Sequence, residues 1–196
     1  MDGVRNARRP VSGRRVVVAL YVAIVAVHFD LIPFWDAKAY FQCIEEAVHK
    51  KFDLLGCCFD HPSLFYGLLW AAPQYVWPWT PVPLCVVDAA VGVASIIAFD
   101  ALLRVLFPGA RQLEYTLVTS LYAFAPLFVV HTIFLNLDFG ATAFFVVFVY
   151  ALLARRSWLA SASALAAAFT KEAARRTPTR AADSLSRSCS PASCTP

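Results

Sequence analysis

The sequence contains few charged residues and an excess of apolar ones. Only 15% of the 196 residues are charged, whereas 60% are hydrophobic. The mean hydropathy is +0.62. Soluble domains typically contain about 25% charged and about 45–50% apolar residues. The composition therefore predicts an integral membrane protein rather than a soluble domain.

Two further patterns are missing, and each absence argues against a class of function. The cysteines are Cys43, Cys57, Cys58, Cys85, Cys189 and Cys194. They lack the paired spacing of a zinc ribbon, which argues against a metal site built on cysteine. A disulfide between two of the three cysteines in residues 43–58 is one alternative if that loop faces an oxidising compartment. The net charge of +4 comes with no basic stripe of interleaved aromatics, so nucleic-acid binding is not predicted.

The amino terminus predicts the orientation of the first helix. Residues 1–15 carry five arginines and precede an apolar run over residues 16–29. Because the cytoplasmic flanks of membrane helices are rich in Lys and Arg, residues 1–15 are predicted to be a basic cytoplasmic segment. No small-x-small cleavage site follows the run, which favours an uncleaved anchor over a signal peptide.

Later apolar runs predict further crossings. Residues 84–107, 113–134 and 139–154 each suit a membrane helix, and residues 158–169 begin another. This topology places Arg104, Arg111, Arg155 and Arg156 on the cytoplasmic side. The predicted fold is an all-α integral membrane bundle of about five spans. We expect a multi-pass protein of the plasma membrane or the endoplasmic reticulum.

The segment between the first two predicted crossings has a mixed character. Residues 37–52 combine charged and aromatic side chains with helical periodicity, which predicts an amphipathic helix on the outer membrane surface. Residues 61–83 are apolar but crowded with Trp, Tyr and Pro, which is typical of an interfacial belt rather than a clean span. If residues 61–83 enter the outer face without crossing the membrane, all the arginines that flank the predicted spans stay on the cytoplasmic side.

Several ionisable residues then fall on the predicted outer face. Asp36, in FWDAKAYF, is either a general base at the membrane interface or an ordinary loop aspartate. Asp138 is either a second carboxylate of the same site or the N-cap of the following helix. Asp60 and His61 precede a proline, and His61 either contacts phosphate or metal or belongs to a polar helix start.

Other ionisable residues lie within or at the end of apolar runs. Asp88 and Asp100 lie within residues 84–107, where charge is costly and often functional. Arg104 follows Asp100 by one helical turn, which predicts an ion pair, whereas Asp88 has no sequence-local partner and is a further site candidate. Lys171 either neutralises a phosphate or snorkels from a helix end.

Taken in order, these motifs resemble the polytopic GT-C glycosyltransferases, in the branch that contains the protein O-mannosyltransferases and aminoarabinose transferases. The resemblance spans residues 16–174. Its motifs are Asp36-x-x-x-Tyr40, His61-Pro62-x-Leu64-x-Tyr66, Asp138 and Thr170-Lys171-Glu172. It implies transfer of a sugar from a polyprenyl- or dolichyl-phosphate carrier in the membrane to an unidentified acceptor on the outer or lumenal face.

The resemblance also implies residue roles. Asp36 matches the first-loop catalytic acid that takes a proton from the acceptor hydroxyl, and Asp138 matches a second acid that orients the acceptor or a divalent metal. No other cofactor is implied. The residues expected at the donor phosphate or substrate are His61, Lys171, Asp60 and Tyr40. The sequence departs from the family pattern at Ala37, where many relatives have a second acid, and at Ser63, where they have a proline.

Two expectations concern the rest of the chain. Residues 175–196 are rich in Ser, Pro, Thr and Arg, so we expect a disordered tail, interpreted as a frameshifted end to the amino-terminal part of a longer enzyme or as a genuine tail. The alternative function is a non-enzymatic membrane subunit or transporter fragment in which Asp88 and Asp100 line a polar path. No inverted repeat is visible, which disfavours a transporter.

Overall fold

The computed structural model describes residues 13–31, 36–49 and 64–170. These residues form eight α-helices and no strand, which confirms the all-α prediction for this part of the chain. The helices are α1 (Gly13–Ala26), α2 (Asp36–His49), α3 (Leu64–Val76), α4 (Val82–Leu106), α5 (Gln112–Ala123), α6 (Pro126–Ile133), α7 (Leu137–Leu153) and α8 (Ser157–Thr170). The predictions for Asp60, His61, Lys171 and residues 175–196 lie outside the described residues.

Helix α4 forms the centre of the bundle and contacts α1, α3, α5, α6 and α7. It has 25 residues and starts with a proline in its first turn, where the missing N–H costs no helical hydrogen bond. It ends just before Pro108, because proline disfavours helical backbone in the residue before it. Of the helices described, α4 alone is long and apolar enough to cross a membrane unaided.

The predicted single run over residues 113–134 is broken into α5 and α6, which meet at an angle of 50°. The break occurs at Ala125, whose ψ of 129° is extended, directly before Pro126. Proline lacks an N–H and excludes helical backbone in the preceding residue, so the helix ends there. If the bent pair counts as one span, the described part of the chain holds two candidate membrane spans.

The other helices are shorter than a full crossing of about 20 residues. α1 and α8 have 14 residues each, and α7 has 17. α3 has 13, which agrees with the prediction that residues 61–83 do not form one clean span. α2 confirms a helix within residues 37–52. The described part of the chain is thus helical and contains a candidate membrane helix, and the number of crossings remains a prediction.

Contacts of α1, α2, α4 and the turn before α7 define two ends of the bundle. At one end, the Arg14 Nη1 atom of α1 lies 3.6 Å from the Asp100 Oδ2 atom, in the carboxyl-terminal part of α4. At the other, one buried cluster joins Ile44 of α2, Leu84 of α4 and Leu135 between α6 and α7. We call these the Asp100 end and the Asp88 end.

A close contact between α1 and α4 lies between the two ends. Gly92 of α4 faces Tyr21 of α1, and an added Cβ atom at residue 92 would lie only 2.0 Å from the Tyr21 hydroxyl oxygen. Tyr21 is fully buried, and its hydroxyl lies 2.9 Å from the Thr132 Oγ1 atom of α6. Glycine therefore allows this tyrosine to enter between α4 and α6.

Two tight turns reverse the chain at α7. Leu135 before α7 and Arg155 after it have φ values of 48° and 55°, the left-handed backbone that ends many helices. After each, a backbone N–H bonds back to the last helical turn, from Asn136 to His131 and from Arg156 to Ala151. These bonds close a Schellman motif. α7 and α8 therefore pack against each other as an antiparallel pair.

Candidate functional site

The Asp88 end contains a carboxylate buried completely within the bundle. Asp88 is 0% exposed and accepts a 2.9 Å hydrogen bond from the Trp70 indole Nε1 atom of α3. Trp70 is itself buried and packs with Leu84 and Cys85 of α4. The sequence placed Trp70 in a predicted interfacial belt, so this pair was missed. Only the packing of α3 on α4 brings the two side chains together.

Tyr40 of the predicted site lies beside this pair, on the helix that begins at Asp36. α2 begins at Asp36, immediately after the short connection from α1. The Asp36 side chain is outside the described part of the chain. Tyr40, one turn into α2, is half-buried with its ring centre 6.0 Å from that of Trp70. The structure thus joins one predicted substrate residue to the unpredicted Trp70–Asp88 pair.

Asp138 lies in the first turn of α7 and is exposed. It is not the N-cap, because the Asn136 side-chain oxygen accepts a 2.8 Å hydrogen bond from the Asp138 backbone N–H. The capping interpretation of Asp138 is therefore wrong, and Asn136 has that role. A carboxylate in the first turn is still favourable, since the helix dipole is positive there.

The two predicted catalytic acids belong to the same end of the bundle but to different helix pairs. α2 packs on α3, whereas α7 packs on α4 and α8. The buried cluster at the Asp88 end contains both Ile44 of α2 and Leu135, which directly precedes α7. That shared cluster fixes the helix that begins at Asp36 relative to the turn before Asp138.

The remaining predicted site residues are Asp60, His61 and Lys171, and none is among the residues that the structure describes. Lys171 directly follows Thr170, the last residue of α8. Thr170 is buried and its hydroxyl donates a 2.6 Å hydrogen bond to the Ala166 carbonyl oxygen. Because α8 runs antiparallel to α7, it ends towards the Asp88 end.

Asp100 makes the ion pair that the sequence predicted. Arg104 donates hydrogen bonds from Nε and Nη2 to the two carboxylate oxygens of Asp100 at 2.9 and 3.2 Å, which makes the ion pair bidentate. Its guanidinium also lies 4.5 Å from the ring centre of Tyr115. Arg14 is a second cationic neighbour, which the sequence did not indicate because it is far away along the chain. These contacts give Asp100 a structural role.

A second polar cluster at the Asp88 end was also missed. Glu45 of α2 is 5% exposed and accepts hydrogen bonds from the Gln74 side chain and, at 2.8 Å, from the Trp79 backbone N–H. Its other carboxylate oxygen lies 3.3 Å from His49 Nε2. The His49 ring stacks on Trp79 with ring centres 4.4 Å apart. The signal in the sequence was the Glu-x-x-x-His spacing, which places both side chains on one helix face.

The predicted divalent metal at Asp138 gains no ligands from the described residues. Among them, no group of three His, Cys, Asp or Glu side chains could hold a metal ion. The pair Glu45 and His49 falls one ligand short of such a group. A metal at Asp138 therefore remains a prediction.

Comparison with known proteins does not assign the chain to a family. No family model matches it, and no characterised protein or solved structure matches it either. The resemblance to GT-C glycosyltransferases therefore remains one of motifs.

Proposed function

We propose that this chain is a membrane glycosyltransferase, or the catalytic amino-terminal part of one. It transfers a sugar from a polyprenyl- or dolichyl-phosphate carrier to an acceptor on the outer or lumenal face. The observation that carries the proposal is the position of Asp36. This acid begins α2, the helix that follows α1 along the chain, and the buried cluster that holds α2 also holds the turn before Asp138.

The proposed reaction is an inverting displacement. Asp36 takes the proton from the acceptor hydroxyl while the acceptor oxygen attacks the anomeric carbon and the bond to the carrier phosphate breaks. Asp138 orients the acceptor or a divalent metal. His61 and Lys171 stabilise the phosphate as negative charge develops on it.

The proposed topology is multi-pass with a cytoplasmic amino terminus. Its support is charge separation along the bundle, because Arg14, Arg104 and Arg111 belong to the Asp100 end whereas Asp36 and Asp138 belong to the other. The outward surfaces of the helices are apolar, as for Leu121 and Leu127, which are 75% and 71% exposed. Such surfaces suit contact with lipid.

The alternative, a non-enzymatic subunit or transporter fragment, has weaker support. It requires Asp88 and Asp100 to line a polar path. Asp100 is instead held by Arg104 and Arg14, and Asp88 is buried against Trp70. Both acids are thus engaged in helix packing.

The test is sugar transfer from polyprenyl-phosphate-linked donors in membranes that contain the full chain. Asp36→Asn removes the base and is expected to lower the rate by about 10²- to 10⁴-fold. Asp30→Asn is the matched control, because Asp30 is an exposed acid in the connection that precedes α2 and is expected to be dispensable. Equal rates in the two variants would contradict the assignment of Asp36. No transfer by the unmodified chain would contradict the proposal that this chain is sufficient.

A further inference from the structure

We propose that Glu45, His49 and Gln74 bind a divalent transition-metal ion of the zinc class at the Asp88 end. This site shares no residue with the proposed sugar-transfer site and does not rest on the proposed function. Glu45 and His49 come from one face of α2, and Gln74 comes from α3.

The spacing of the first two ligands fits a metal. Glu45 Oε2 and His49 Nε2 lie 3.3 Å apart. Two ligand atoms at about 2.0–2.1 Å from a tetrahedral zinc ion are separated by about 3.3 Å. A metal ion can therefore bind between the two atoms with little movement of either side chain.

Two buried oxygens on these contacting side chains accept no hydrogen bond. Glu45 Oε2 and Gln74 Oε1 are both inaccessible to solvent, and neither accepts a hydrogen bond within the described structure. The Gln74 side chain contacts the Glu45 carboxylate directly through its amide nitrogen. Buried acceptors are nearly always satisfied, by a protein donor, water or an ion. A cation coordinated by both oxygens satisfies them together and compensates the buried carboxylate charge.

The surroundings hold these ligands in place. The Gln74 amide nitrogen donates to the Thr80 carbonyl oxygen at 3.1 Å, and the Trp79 N–H fixes the second oxygen of Glu45. Trp79 has a φ of 67°, a left-handed backbone that is uncommon for a large residue, and its ring packs flat against His49. Contacts of this kind orient the ligands of metal sites.

The same geometry leaves the site open on one side. The His49 side chain is 40% exposed, whereas that of Glu45 is 7% exposed. Three protein ligands and one solvent-facing position are the pattern of zinc sites that bind water or a further ligand. Nitrogen and oxygen donors favour zinc and its neighbours over calcium or magnesium, which prefer oxygen alone.

The experiment measures Zn²⁺ binding to the full chain in detergent micelles, by competition with a chelator. Cysteine thiols are alkylated first, so that they do not bind zinc. We expect one equivalent of bound zinc, with affinity at least tenfold weaker in Glu45→Gln and His49→Ala. His28→Ala is the control, because His28 lies on α1 and bonds to the Ile24 carbonyl oxygen of its own helix. The Zn²⁺ affinity of His28→Ala is expected to equal that of the unmodified chain.

A second variant separates a metal ligand from a simple ion pair. His49→Glu places two carboxylates together, so it is expected to lower the melting temperature without metal and to regain stability when Zn²⁺ is added. A role limited to pairing with Glu45 predicts no such recovery. The proposal is overturned if the unmodified chain binds no zinc, if Glu45→Gln and His49→Ala bind it as tightly as the unmodified chain, or if zinc leaves His49→Glu as unstable as before.

Discussion

Asp88 and Asp100 lie on the same helix, are buried to the same degree and have very different partners. Their exposed fractions are 0% and 1%. Asp88 accepts a hydrogen bond from the neutral indole of Trp70, on another helix. Asp100 is held by the cations Arg104 and Arg14. Two buried aspartates of one helix are thus held in different ways, one by a neutral hydrogen-bond donor and the other by ion pairs.

The difference shows how sequence distance governs what can be predicted. Arg104 follows Asp100 by one helical turn, so the ion pair is already visible in the sequence. Trp70 and Asp88 lie on α3 and α4 and meet only when these helices pack. Arg14 reaches Asp100 in the same way, from the far end of the chain.

The largest expected effect comes from removing both cations at the Asp100 end. Arg14→Met with Arg104→Met leaves a buried carboxylate without a counter-charge, and we expect a loss of about 3 kcal/mol of unfolding free energy. This value is at the low end of the range of about 3–5 kcal/mol for breaking a buried ion pair, because both arginines are partly exposed. Unfolding in mixed micelles with rising dodecyl sulfate measures it.

The matched control for this pair is Arg155→Met with Arg156→Met. Both of these arginines are exposed in the turn after α7, so their removal changes the net charge equally and is expected to cost little. If both double variants are equally stable, the ion pair at Asp100 contributes no more than a surface contact, and the contrast with Asp88 fails.

A smaller effect is expected between the two acids, at Gly92. Gly92→Ala brings a methyl group within 2.0 Å of the Tyr21 hydroxyl oxygen, which is buried and bonded to Thr132. Overpacking of this kind costs about 1–3 kcal/mol. Gly109→Ala is the control, because a Cβ atom there meets nothing within 4 Å. Adding Tyr21→Phe to Gly92→Ala should recover part of the loss, and no recovery would argue against this contact.

The smallest effect is expected at the Asp88 end. Trp70→Phe keeps most of the buried ring but removes the indole donor to Asp88, and we expect a loss of about 1–2 kcal/mol. Trp158→Phe is the control, since Trp158 is 72% exposed. A loss as large as that of the double arginine variant would mean that the neutral pair matters as much as the ionic one.

The candidate site was only partly readable from the sequence. The helical periodicity of residues 37–52 predicted the helix that begins at Asp36, because side-chain pattern along one helix is a local property. The N-cap alternative for Asp138 was wrong and the capping role of Asn136 was not predicted, since both residue types are good caps and only backbone geometry distinguishes them. Glu45, Gln74 and Trp79 were missed because they come from separate segments.

The sequence by itself determined the helical, apolar character of this protein, the apolar core of α4 and the Asp100–Arg104 pair. Each of these depends on composition or on neighbours within a few turns. Tertiary structure alone decided the contact of Trp70 with Asp88, the approach of Arg14 to Asp100 and the convergence of α2 and α3 around Glu45. These contacts join residues that only helix packing brings within hydrogen-bonding or ion-pairing distance, and no local pattern encodes that packing.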